Sequence, residues 1–234
     1  MKHVLAHVDQ KRSEFSQLPF FAYLRDPDVA PEKRFVFAPA GAPFIMAFAD
    51  LNRYILHVSD PQDALQELIN VHSDEDSTHF SMYLVDLETL GYDLPLRFTD
   101  ALEFLWADER KSLRQTCYSL AAMLASASPP LRLVIIETIE AMGSVAFQAF
   151  SAAAAEYHAA TGKTLQYFGH RHEALETGHT MGTDDIEQRL GAIVLDEQDS
   201  VRARELVDVV FRSFSDMMNE LHQYAIQNQA EKQR

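Results

Sequence analysis

Residues 129–162 read PPLRLVIIETIEAMGSVAFQAFSAAAAEYHAATG, and this stretch decides the fold class. Two prolines suit the first turn of a helix, where a backbone N–H has no intrahelical partner. Gly162 suits the left-handed position that closes one. Between them Leu131, Ile135, Ile139, Met142 and Ala146 recur every three or four positions, the period of one helix face. The segment therefore reads as one long helix with an apolar stripe.

The same period continues on both sides. Upstream, Thr99-Asp100 opens a helix that bends near Asp108 and continues to about Ser126. Asp60-Pro61 reads as an N-cap followed by proline at the first helical position, starting a long helix that runs to Leu90 and stops at Gly91. A helix over about 41–58 is expected to turn Phe44, Met46, Phe48, Leu51, Tyr54, Ile55 and Val58 inward. Asp26-Pro27-Asp28 and Pro31 separate it from a first helix over 3–17 and an apolar turn over 19–24. Downstream, residues 165–181 read as a helix ending near Gly182, with Asp184 or Asp185 capping a short successor. A last helix covers roughly 197–228, and the polar residues 228–234 fray. Six or seven long helices with short connections predict an all-α bundle, one domain over 1–234.

Composition narrows the function classes. With 234 residues and 47% hydrophobic content, the chain can bury one sizeable core as a soluble domain. The net charge of -15, with no run of Lys and Arg longer than a pair, argues against a phosphate-tracking surface and nucleic acid. Each apolar stretch is cut by a charge or a proline, so no membrane crossing is expected. The polar start MKHVLAHVDQKR does not read as a signal peptide. Cys117 is the only cysteine, which excludes an intrachain disulfide and fits a reducing cytoplasm.

In a bundle, chemistry sits on inward helix faces. At about 100° per residue, His72, Asp76 and His79 share a stripe with Glu75 at its edge. His172, Glu176 and His179 repeat the offsets of four and seven residues. Imidazole and carboxylate together suit divalent iron, manganese or zinc without thiolates. Glu140 supplies a third element, because its helical neighbours Ile136, Gly143 and Phe147 are apolar and a buried carboxylate needs a partner or a metal. Glu137 faces the more polar side with Ser144 and Gln148 and stands as the substitute. Tyr83 and Tyr167 are candidate hydrogen-bonding neighbours of the ligands. Phe20, Phe21, Phe44, Phe147, Phe150 and Phe168 read mainly as core, with an apolar cavity beside the metal as the usual form of a small-molecule site.

The order His72 to His79, then Glu140, then His172-x3-Glu176-x2-His179, resembles the ligand pattern of haem-oxygenase-like dimetal oxidases and oxygenases. These share a fold with haem oxygenase, thiaminase II (the TenA group) and the synthase of pyrroloquinoline quinone. The resemblance spans about residues 15–215 and includes the apolar entry Leu18-Pro19-Phe20-Phe21. That family usually has glutamate where this chain has His72 and aspartate where it has Glu176. The first departure removes a charge and a bridging oxygen, which Glu75 or Asp76 can replace, and leaves a mononuclear site open.

The resemblance implies His72, His79, Glu140, His172, Glu176 and His179 as ligands of one or two iron ions, with Glu75, Asp76 or Glu137 in support. It implies oxidation of a small organic substrate, and a homodimer is a further expectation for such helical domains. Competing expectations from the same fold are a thiaminase-like hydrolase using Cys117, a haem protein using His3 or His7, and a metal-free cofactor-oxidising or binding module.

Overall fold

The computed structural model describes residues 1–178 and 190–229, with the backbone alone given for 176–178. The described residues form helices and connecting turns, with no strand among them, so the chain is all-α as expected. The helices are α1 (Lys2–Phe15), α2 (Pro19–Leu24), α3 (Ala42–Leu51), α4 (Ala64–Asp76), α5 (Phe80–Thr89), α6 (Phe98–Trp106), α7 (Lys111–Ser126), α8 (Pro129–Thr161), α9 (His170–Gly178) and α10 (Glu197–Asn228).

Helix α8 is the axis. It runs 33 residues, about 50 Å at 1.5 Å per residue, from the Pro129-Pro130 start to Gly162 in the left-handed conformation (φ 72°). All five residues of its expected stripe are buried, and α1, α4, α9 and α10 pack around it. By length and composition alone, α8 and Pro31–Leu56 each hold a window apolar enough to cross a bilayer despite the charges and prolines they contain, where no such stretch was expected. More than half of the α8 window is buried against the rest of the protein.

Three helix boundaries ahead of α8 differ from the sequence reading, each with identifiable hydrogen bonds or a change of helix type behind it. Asp63, not Asp60, caps α4 by accepting from the backbone N–H groups of Leu65 and Gln66. Residues before it stay extended because the Asn70 amide clamps Val58, donating to its carbonyl and accepting from its N–H. The long helix expected up to Leu90 breaks at Ser77-Thr78-His79. There the hydroxyls of Ser73 and Ser77 bond back to carbonyls of Ile69 and Asp74, and Arg53 takes the Ser77 carbonyl at 2.9 Å. The 41–58 segment ends as an α-helix at Leu51 and continues as one π-helical turn, Asn52–Leu56. The wider turn shifts the register, and Tyr54 and Val58 are exposed instead of inward; Met46, on the outer side of α3, is exposed as well.

Helix α6 buries none of its residues fully and leaves Phe98, Leu102 and Trp106 exposed at four-residue intervals. The segment from 25 to 41 has little regular structure yet carries core residues Phe35 and Phe37, which pack against Phe168 at 5.3 and 5.6 Å between ring centroids. It is pinned by buried Arg34, which donates to the carbonyls of Val29 (3.1 Å) and Asp26 (3.0 Å) and pairs with the half-exposed Glu156 at 2.8 Å. Arg34→Met takes the Arg34 donor from the Val29 carbonyl and one of two donors from the Asp26 carbonyl, which keeps the Val29 N–H, at a cost of roughly 1–3 kcal/mol. Glu156→Gln, which removes only an exposed partner, should cost under about 1 kcal/mol. Thermal melts of the two variants check this ordering, and equal losses would show that the ion pair dominates.

Candidate metal centre

His72 and Asp76 lie one turn apart on α4, both buried, and Glu140 reaches them from α8 with a partly exposed side chain. The His72 Nε2 atom is 3.3 Å from Asp76 Oδ2 and 3.7 Å from Glu140 Oε1. One ligand atom from each of the three lies within 4.8 Å of the others, the converging set among the described residues. The other Asp76 oxygen, Oδ1, faces His79 Nδ1 at 3.8 Å. His79 in turn meets His172 of α9, Nδ1 to Nε2, at 3.0 Å. Asp76 is therefore the middle of a continuous group, with His72 and Glu140 on one side and the His79–His172 pair on the other.

The break in α4–α5 bears on this geometry. His79 is the N-cap position of α5 rather than the third member of an unbroken stripe, so its imidazole is placed by the turn over 77–79. The structure brings His72, Asp76 and His79 together, but on a helix that is not continuous.

The tautomer of His172 follows from its partners. Its Nδ1 lies 3.0 Å from the Tyr167 carbonyl, which can only accept, so Nδ1 carries a proton and Nε2 presents a lone pair toward His79 in the neutral ring. A backbone carbonyl on the far nitrogen is the usual way to orient an imidazole toward a cation. Two nitrogens bound at about 2.1 Å lie roughly 3.0–3.4 Å apart, depending on coordination angle. The 3.0 Å separation of His79 and His172 falls in that span, as does the 3.3 Å separation of His72 and Asp76. The donor set of imidazoles and carboxylates thus fits a divalent cation of the iron, manganese or zinc kind.

The remaining expected residues divide. His179 lies outside the described residues, and of Glu176 only the backbone is described, in α9. Glu75 is half-buried beside Asp76 and is not part of the converging set. Glu137, expected on a more polar side, is half-buried with Oε1 out of contact with solvent, and it too stands outside that set. Tyr83 does not reach the group through its hydroxyl, which donates to the Ala38 carbonyl at 2.8 Å in the core. Burial holds that phenol far above its ordinary pKa. Tyr167 contributes through its carbonyl and through its ring, 4.5 Å from that of His172, while Phe147 lies 4.1 Å away on α8. His7 pairs with Asp208 of α10 at 2.8 Å.

Asp86 was not singled out in the sequence. It is fully buried on α5 and accepts from the backbone N–H of Gln166 (2.6 Å) and of Phe168 (2.9 Å). Burial pushes its carboxyl above the usual range, and the N–H groups of 166–168 oppose that shift. These bonds hold 166–168 out of the helical conformation, so α9 starts at His170 and not near 165 as the periodicity suggested. Gly169 completes the turn, since a Cβ there would sit 2.1 Å from the Leu165 carbonyl oxygen. The available signal was His79, Tyr83 and Asp86 at offsets of four and seven, with Asp86 alone among apolar neighbours.

Beside the group lies an apolar cavity of about 110 Å³. Asp76, His79, Glu140 and His172 form its polar end, and phenylalanines of α1, α3, α8 and α10 line much of the rest. Comparison with protein families and with curated proteins gives no match. Asp86→Ala strips two buried N–H groups of their acceptor and should cost roughly 1–3 kcal/mol for each. Asp86→Asn keeps one acceptor oxygen and should cost less. Denaturant melts decide this, and an Asp86→Ala protein as stable as the parent would remove Asp86 as the holder of the 166–168 turn.

Proposed function

We propose that the protein is a non-haem metal-dependent oxidoreductase of haem-oxygenase-like architecture, taking one or two iron ions and oxidising a small organic molecule. The observation that carries this reading is the run of four buried or half-buried groups, Glu140, His72, Asp76 and His79, joined to His172 at contacts of 3.0–3.8 Å. Leaving two carboxylates and three imidazoles together inside a bundle is costly unless protons or a cation neutralise them. When bound, iron would supply the redox chemistry with dioxygen.

The chain's own residues supply the rest. His72, Asp76, Glu140, His79 and His172 would hold the ion, with Glu176 and His179 as the further ligands the resemblance implies. Asp76 faces His72 with one oxygen and His79 with the other, and would hold an ion together with either imidazole. Tyr167 fixes the proton of His172 at Nδ1 and so keeps Nε2 aimed at the centre. Phe147 and the Tyr167 ring shield the His172 imidazole from water.

The hydrolase reading loses support from Cys117. Its thiol is buried, donates to the Leu113 carbonyl at 3.4 Å and is pushed up to about 12 by burial. A nucleophilic cysteine needs the opposite shift.

Two experiments bear on this. Anaerobic loading with ferrous iron, followed by desalting and metal analysis, should give stoichiometric iron in the parent and at least a tenfold loss of affinity in His72→Ala and in His172→Ala. Unchanged iron content in both would dispose of the metal centre. Separately, native protein at pH 8 should react with iodoacetamide at Cys117 at least about tenfold more slowly than the unfolded chain, given a raised and buried thiol. Fast labelling of the folded state would return Cys117 to candidacy.

A further inference from the structure

The cavity beside the group says what kind of molecule it takes. Its walls outside the polar end are apolar side chains and glycine, together with the Tyr167 ring, and no Lys or Arg lines it among the described residues. Phe37, Phe147, Phe150 and Phe168 pack on one another with centroids 5.3–6.1 Å apart and form an aromatic wall, against which a further ring can pack at the same spacing. About 110 Å³ is the scale that admits a molecule on the order of eight non-hydrogen atoms.

Charge then selects the head group. Asp76 and Glu140 both border the cavity. No Lys or Arg among the described lining residues offers an anionic ligand a counter-charge, and apart from the Tyr167 phenol the only ionisable groups there are the carboxylates and the two imidazoles of the polar end.

We propose that this cavity binds a small neutral molecule, a single ring or short branched chain whose one polar group is an uncharged hydroxyl or carbonyl turned toward the His79–His172 end, and that it discriminates against the matching carboxylate. The inference rests on the metal-site reading for the role of the polar end and on the cavity itself for size and polarity. It names the substrate class of that site.

Benzyl alcohol and benzoate make a matched pair of probes, compared by saturation-transfer NMR on the full chain, metal-free and zinc-loaded. Benzyl alcohol should bind with about millimolar affinity, and benzoate at least about tenfold more weakly in both states. Ala146→Phe fills the cavity from α8 and should reduce alcohol binding by tenfold or more while leaving zinc stoichiometry unchanged. Gly143→Leu is the second filling variant, because a Cβ at Gly143 meets only the Phe147 ring at 3.6 Å, an ordinary contact. His72→Ala, at a residue that would hold the ion but does not line the cavity, should lose zinc and keep the alcohol, which separates the two claims. Selective alcohol binding in a protein that never takes up zinc would support the cavity inference and sink the metal reading alone. Benzoate binding as tightly as the alcohol, or full alcohol affinity in both filling variants, would overturn the inference.

Discussion

A single carboxylate in the core, Asp86, sets conditions that much of the site obeys. It lies on α5, far in sequence from the turn it holds, and its oxygens accept from the N–H groups of Gln166 and Phe168. A carboxylate and several amides removed from water together are tolerable only because each satisfies the other. The turn so held delivers the Tyr167 carbonyl to His172, and it delivers Phe168 to the aromatic cluster formed with Phe35, Phe37 and Phe150. The polar end and the apolar end of the cavity are thus fixed by one short piece of backbone.

The two ends are opposites in physical character and share α8. Along that helix Glu140 enters the group of imidazoles and carboxylates, while Met142, Ala146 and Phe150 line the apolar space on successive turns. Burying apolar area on α8 and α10 stabilises the bundle at roughly 25 cal/mol per Å², and that gain offsets the expense of holding ionisable groups inside. The cavity interrupts packing where packing would otherwise be closest. A core of this kind gives up some contact energy in exchange for a space with a polar end.

Helix class and the ends of α8 were legible because they rest on local rules: apolar spacing, proline in the first turn, glycine at the close. His72, Asp76, His79, Glu140 and His172 were legible as a candidate group because they repeat at offsets of four and seven or stand alone among apolar residues, and the structure brings them together. Tertiary structure hid the rest. The break at 77–79 depends on Arg53 reaching the Ser77 carbonyl, and the delayed start of α9 depends on Asp86; both partners are remote in sequence. Asp86 was not singled out, since nothing local says that its oxygens face an incoming turn. The cavity is a property of several helices at once and has no signature in any one of them.

Gly169 has a consequence for how such a site changes over generations. The entry of α9 is dictated by backbone clearance against Leu165 and by a buried acid on another helix, not by what α9 itself carries. Residues along α9 can therefore be exchanged without re-aiming it, as a socket accepts different fittings. New reactivity is open to the scaffold by replacing the fittings, whereas a single methyl group at position 169 would move the socket.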